Sequence, residues 1–266
     1  MRRTLPVVAA LAALALTACG GSSGTTTSPG SPSSSGSGAS SAATGAITVF
    51  AASSLKESFT AIGAAFETAN PGTKVTFNFG ASSTLATQIT QKAPADVFAS
   101  ASQKTMDTVT TAGAAAGSAV FAVNTMEIAT PATPTVPVTS LADLAKPGVK
   151  VVICQKDVPC GAAAQKLFTQ NNLTVTPVSE EVDVKAVLSK VVLGEADAGV
   201  VYVTDVKAAG TKVVGVVIPK DQNVTTTYPI APITASTNAA TAKAFVDYVL
   251  SPAGQQVLAA AGFTSP

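Results

Sequence analysis

Apolar positions from residue 45 onward follow two alternating spacings. Residues 47–52, Ile-Thr-Val-Phe-Ala-Ala, form a short, mostly apolar run, the mark of a strand buried on both faces. Leu55, Phe59, Ile62 and Phe66 then recur at helical spacing, and Asn70-Pro71-Gly72 closes that helix. Residues 74–79 alternate, with Val75, Phe77 and Phe79 on one side. Leu85 and Ile89 mark a second helix, 96–99 a short strand, and 103–111 a third helix. After a proline-rich break at 131–137 the pattern resumes. Strands are predicted at 149–154, 198–203 and 212–218, with helices at 161–171 and along Val184, Val187, Leu188 and Val191. Ala242, Phe245, Val246, Val249 and Leu250 form the face of a late helix, and a last one covers 253–261.

Strands alternating with helices imply an α/β fold with mainly parallel sheets flanked by helices. The two series meet near Asn124, and the closing helices look more like the first series. The pattern therefore predicts two lobes, residues 45–124 with 229–266 and residues 125–228. Two crossing segments, near 124–130 and 228–236, would form a hinge, and the cleft between lobes is the default ligand site.

The first nineteen residues read as a separate element. Arg2 and Arg3 precede an apolar run at 5–16, which ends in Leu16-Thr17-Ala18-Cys19. The run is shorter than the roughly 20 residues a spanning helix needs. The tetrad resembles a bacterial lipobox, which predicts cleavage before Cys19 and lipidation there. A plain secretory signal with an incidental cysteine is the competing reading, disfavoured because the cysteine sits right at the small-residue site. Residues 20–44 are almost wholly Gly, Ser, Thr, Ala and Pro, a composition that predicts a flexible tether.

Composition then narrows the chemistry. The chain has no histidine, and Arg2 and Arg3 are its only arginines. That removes Ser-His-Asp and Cys-His catalytic units, imidazole metal sites and guanidinium clamps. A formal net charge of +1 without a basic run argues against nucleic acid. Several helices nonetheless begin with small or hydroxyl residues just after a strand: Ser53-Ser54, with Ser54-Leu55-Lys56-Glu57 as a capping box; Ser82-Ser83-Thr84; Cys160-Gly161; and Asp183-Val184. Helix N-termini at the carboxyl ends of parallel strands offer unpaired N–H groups, which together bind an anion without any cation. Taken singly, each serine is more simply an N-cap.

In order and spacing, ITVFAASSL, SSTLATQI, APADVFASA, VPCG, EEVDVKAVL, AGVVYVTD, the Tyr228-Pro229 pair and the terminal GFT resemble the periplasmic molybdate-binding proteins of ABC importers. The resemblance covers about 46–263. It implies a type II solute-binding fold of two lobes and five ligand residues. Ser54 and Ser82 would donate through hydroxyls, Cys160 and Val184 through N–H groups, and Tyr202 through its phenol; Cys160 fills a slot usually held by alanine. Ser53 and Ser83 are the neighbours that would serve if the register slips by one. Asp183 is read as an N-cap, and Asp96 and Asp205 as structural. The resemblance further implies a lipid-anchored, extracytoplasmic, monomeric binding protein. Its ligand would be molybdate or tungstate and its partner a membrane permease, with no cofactor, no protein-ligated metal cation and no catalysis. The alternatives are another tetrahedral oxyanion such as sulfate or phosphate, a surface protein without transport, or a hydrolase.

Cys154 and Cys160 remain as an even pair in an exported chain, one ending a strand and the other opening the next helix. A disulfide is the favoured reading. A reactive thiol at a helix N-terminus is the rival.

Overall fold

The computed structural model describes residues 43–266. Cys19 and all but the end of the expected tether lie outside the described residues. The packed chain begins slightly before residue 45, the expected start. Ala43 is buried, the Thr44 N–H donates to Thr241 Oγ1 at 3.2 Å, and the Thr241 hydroxyl donates to the Thr44 carbonyl at 2.6 Å.

The first half lays down β1 (Gly45–Ala52), α1 (Lys56–Ala69), β2 (Thr73–Gly80), α2 (Ser82–Thr90), β3 (Val97–Ala99) and α3 (Gln103–Thr111). A 13-residue strand, β4 (Ala119–Pro131), leads out of it. There follow β5 (Val151–Cys154), α4 (Pro159–Gln170), β6 (Ser179–Glu181), α5 (Val184–Val192), β7 (Ala198–Tyr202), α6 (Val203–Ala209) and β8 (Val213–Val217). The chain returns along β9 (Thr225–Pro232) and ends in α7 (Ala239–Leu250) and α8 (Pro252–Ala261).

The strands join in the order β2-β1-β3-β9-β4-β7-β5-β6, with β8 also on β4. The α/β class agrees with the sequence pattern, but the sheet is mixed rather than mainly parallel. β1 pairs in parallel with β2 and β3, as does β5 with β6 and β7. The pairs β3–β9, β9–β4, β4–β7 and β4–β8 are antiparallel. The difference comes from the two crossing segments, which are for most of their length strand. β4 changes partners midway: residues up to Thr125 pair with β9, and those from Met126 onward pair with β7 and β8.

Apolar burial follows the same division. One core is built from residues between Met126 and Val224, around β5, β7, α4 and α5. The others draw on residues up to Phe121, Ala122 and Ala115, and again from Tyr228 onward. In the first-half core, Phe59 on α1 is fully buried and packs its ring against Phe77, Phe121 and Phe245 at centroid distances of 6.3, 5.6 and 6.1 Å. These edge-on and tilted contacts join helices α1 and α7 to strands β2 and β4.

Phe59→Ala removes the ring shared by all three partners. The expected loss is about 3–5 kcal/mol of unfolding free energy, read as a lower urea midpoint. A loss below 1 kcal/mol would mean that α1 is not anchored through this ring.

Candidate functional site

The carboxyl ends of the parallel strands bring the five sequence-predicted residues to one cleft. In register, Ala52 at the end of β1 lies beside Gly80 at the end of β2, and Ala51 beside Ala99 of β3. Each strand turns at that edge into the segment that lines the cleft. Ser53 and Ser54 follow β1, Ala81 and Ser82 follow β2, and Ala101 follows β3. Across from them stand Val158, Pro159 and Cys160 before and within the first turn of α4, Asp183 and Val184 at the start of α5, and Tyr202 at the end of β7. The space left between them is small, about 10 Å³. Ser54, Ser82, Cys160, Val184 and Tyr202 all line it, and all are buried. Ser53 lines it too, whereas Ser83 faces a neighbouring groove.

Neither Ser54 nor Ser82 caps its helix. The capping box expected at Ser54 does not form, because residues Ser53–Leu55 make a 3-10 turn that places Ser54 inside the helical run. Its hydroxyl lies 2.9 Å from Tyr228 Oη, and Glu57 pairs instead with Lys185. Ser82 is the first residue of α2, after Ala81. Its Oγ accepts the Ala101 N–H at 3.0 Å, which leaves its own proton free for a partner in the cleft.

The backbone donors are equally specific. Pro159 has no N–H, so the first amide of α4 is that of Cys160. Asp183 is the N-cap of α5, as the sequence implied. Its Oδ1 accepts from Lys185 N at 2.8 Å and Ala186 N at 3.0 Å, so the Val184 N–H is left for another acceptor. A disulfide joins Cys154 to Cys160, tying the end of β5 to the first turn of α4. The approach here is close enough to demand glycine next door: a Cβ on Gly161 would lie 1.9 Å from the Gln155 carbonyl oxygen.

Tyr202 carries the most direct sign of a missing partner. Its side chain is 1% exposed, and its Oη is a buried polar atom without a hydrogen-bond partner among the described residues. Burial pushes the phenol well above its ordinary range, so it remains an O–H donor at any ordinary pH. Native structures pair nearly all such groups, and an orphan beside a cleft points to a ligand.

Sequence reasoning missed the ionic support behind this wall. Asp205 was read as structural without a role; it accepts the Tyr202 N–H at 3.2 Å and pairs with Lys185 Nζ at 2.9 Å. Lys185 also reaches Glu57 on α1 at 2.8 Å. Burial pushes the Asp205 carboxyl up and Lys185 draws it back. For Lys185, burial works against its charge, but Asp205 and Glu57 outweigh this and hold the amine above its ordinary value. Lys185, which directly follows Val184, is thus already committed to two carboxylates. Asp96, also read as structural, accepts the Thr48 N–H at 2.7 Å and the Ser236 hydroxyl, away from the site. The Lys185–Glu57 and Ser236–Asp96 contacts span 128 and 140 positions of chain, beyond any local pattern.

Three hydroxyls and at least two helix-start amides therefore converge on a small cleft whose lining includes no lysine or arginine. The amides can only donate and the hydroxyls each have a proton to give, a set that suits a compact anion whose oxygens all accept.

Comparison with known proteins gives the same picture. The family model described as bacterial extracellular solute-binding protein matches residues 47–264. The molybdate-binding protein ModA of Mycobacterium tuberculosis is 44% identical over 222 residues, covering 83% of this chain and 85% of that one. The substrate binding domain of a molybdenum ABC transporter from Clostridium difficile is 29% identical, with a TM-score of 0.65 over 84% of this chain and all of the other. The periplasmic molybdate-binding protein of Azotobacter vinelandii, at 21% identity, shares the fold with a TM-score of 0.74 over 83% of this chain and 99% of its own.

Two substitutions separate the cleft's chemistry from its framework. Tyr202→Phe removes a buried hydroxyl that has no partner at hydrogen-bond distance among the described residues. The ligand-free variant should be as stable as the parent or more so, by up to about 1–3 kcal/mol in urea unfolding. A clear destabilisation would show that the hydroxyl is satisfied within the protein. Gly161→Ala forces the first turn of α4 off the Gln155 carbonyl. It should lower stability by about 1–3 kcal/mol, whereas an unchanged midpoint would mean that the turn has room to move.

Proposed function

Because the chain belongs to the family of bacterial extracellular solute-binding proteins, we propose that it captures molybdate in this cleft and delivers it to an ABC permease. The observation that carries the reading is the donor set. Ser82 Oγ already accepts an N–H, the Tyr202 hydroxyl has no partner, and no cation lines the cleft. Ser54 and Ser82 donate from one side; the Cys160 and Val184 amides and the Tyr202 phenol donate from the other. Tungstate, of the same charge and nearly the same size, is expected as a second ligand.

Selectivity follows from the same physics. Molybdate, tungstate and sulfate present only acceptors near neutral pH. Hydrogen phosphate carries a proton that needs an acceptor, and a cleft dominated by N–H and O–H donors leaves it unpaired or sets it against another donor. Sulfate passes that test but is smaller, so its hydrogen bonds in a cleft shaped for molybdate are longer and weaker. Turnover is not part of the reading: the chain has no histidine to act as a base beside the serines.

In this reading the first lobe comprises residues 45–124 and 229–266 and the second residues 125–228, with β4 and β9 as the hinge. The anion then bridges the lobes and favours the closed state through contacts that the open state lacks. Cys19 would carry the lipid that holds a monomeric receptor at the outer face of the membrane, and residues 20–44 would give it reach.

Isothermal titration with molybdate, tungstate, sulfate and phosphate tests the assignment. Molybdate and tungstate should bind within about tenfold of each other, and the other two far more weakly. Equal affinity for sulfate or phosphate would overturn the choice of ligand. Ser54→Ala and Ser82→Ala should each weaken molybdate binding by about tenfold to a hundredfold, the value of a hydrogen bond to a charged group. Unchanged affinity in folded variants would exclude these serines as contacts. Replacing Cys19 with alanine should abolish membrane attachment, and a processed, acylated product from that variant would refute the anchor.

A further inference from the structure

We propose that Tyr228 is a positioning residue for the site, one that fixes the Ser54 hydroxyl as a donor toward the bound oxyanion; this deepens the anion-capture reading and rests on it. Tyr228 does not line the cleft. It sits on β9, fully buried, with its ring edge-on to Tyr202 at 6.0 Å and to Phe263 at 5.1 Å. Its Oη lies 2.9 Å from Ser54 Oγ, and by distance alone either hydroxyl could donate.

Asn124 on β4 decides the direction. Its Oδ1 accepts the Thr125 N–H at 3.0 Å, and its Nδ2 donates to Thr204 Oγ1 at 2.9 Å. Held at both ends, the amide turns its NH2 toward Tyr228, with Nδ2 3.5 Å from Oη. An N–H cannot accept the phenol proton, so among the described residues that proton has one acceptor at hydrogen-bond distance, Ser54 Oγ. Ser54, accepting from Tyr228, keeps its own proton for the cleft. In the reverse arrangement the phenol hydrogen would face the amide N–H and have no acceptor at hydrogen-bond distance in a fully buried place. Aligned hydrogen bonds also polarise one another, so a donating phenol makes the serine a better donor.

At Ser82 the same task falls to a local backbone amide, that of Ala101. At Ser54 it falls to a side chain 174 residues away, on a strand that the ligand never touches. The chain Asn124–Tyr228–Ser54 thereby sets the cleft for an anion that carries no proton.

A double-mutant cycle tests the inference: full-length protein, Tyr228→Phe, Ser54→Ala and the double variant, each titrated with molybdate. Tyr228→Phe keeps the ring and its packing. It should weaken binding about three- to tenfold when Ser54 is present, and by about twofold or less when position 54 is alanine. Unchanged affinity, or an equal loss in both backgrounds, would overturn the role, since a merely structural tyrosine acts without regard to Ser54. Should Tyr228→Phe fail to fold, 3-fluorotyrosine at position 228 gives a more acidic donor of nearly the same shape. It should tighten binding with Ser54 present and leave the Ser54→Ala protein unchanged; no difference between the backgrounds overturns the proposal. An unmodified protein that does not bind molybdate overturns the capture reading and this role together. An unmodified protein that binds, with no coupling in the cycle, overturns this role alone.

Discussion

A cleft that lacks a cation can hold an anion only if every donor around it points inward. Neutral donors are individually modest, and a buried one aimed the wrong way opposes the guest rather than holding it. The constraint explains why so much of the surrounding structure is spent on orientation. The Ala101 amide occupies the lone pair of Ser82, Asp183 takes the second and third amides of α5 and leaves the first, and Pro159 removes a competing donor from α4. Lys185, which directly follows Val184, is held between Glu57 and Asp205, whose carboxylate in turn accepts the Tyr202 N–H at the end of β7.

The second determinant is the pair of long strands that carry the chain between its cores. β4 pairs with β9 through Thr125 and with β7 and β8 beyond it, so the place where its partner changes is the place where Asn124 stands. Asn124 bonds to Thr204 of α6 and approaches Tyr228 of β9, which in turn meets Ser54. One side-chain chain thus runs from the point of partner exchange to the cleft wall. β4 and β9 share a hydrogen-bonded connection with Ser54 in the cleft wall.

How much of this is legible in sequence depends on the range of the interactions. The βα units read well, since short apolar runs and helical stripes such as Phe59, Ile62 and Phe66 are local patterns. The five cleft residues followed from family resemblance and from the rule that ligands gather at strand carboxyl ends. β4 was not legible as a strand because its register mixes buried polar residues, Asn124, Glu127 and Thr130, among the apolar ones, and its partners lie far along the chain. α6 follows β7 with no breaker between them. The capping box at Ser54 and Glu57 was a correct local pattern with the wrong outcome. Tyr228 and Lys185, from distant elements, compete for those two side chains and win.

The absence of a counter-charge at the cleft has a consequence outside it. A guest dianion enters with nothing to neutralise it, so on the proposed function the loaded chain is two units more negative than the empty one. The predicted cleavage before Cys19 removes both arginines and leaves 14 lysines against 15 carboxylates, formally −1, so a bound dianion brings the processed chain to −3. The loaded form then migrates faster toward the anode than the empty one at neutral pH. It also presents a stronger negative field to any surface it approaches. Occupancy is in this sense announced at a distance, by electrostatics, before any contact is made.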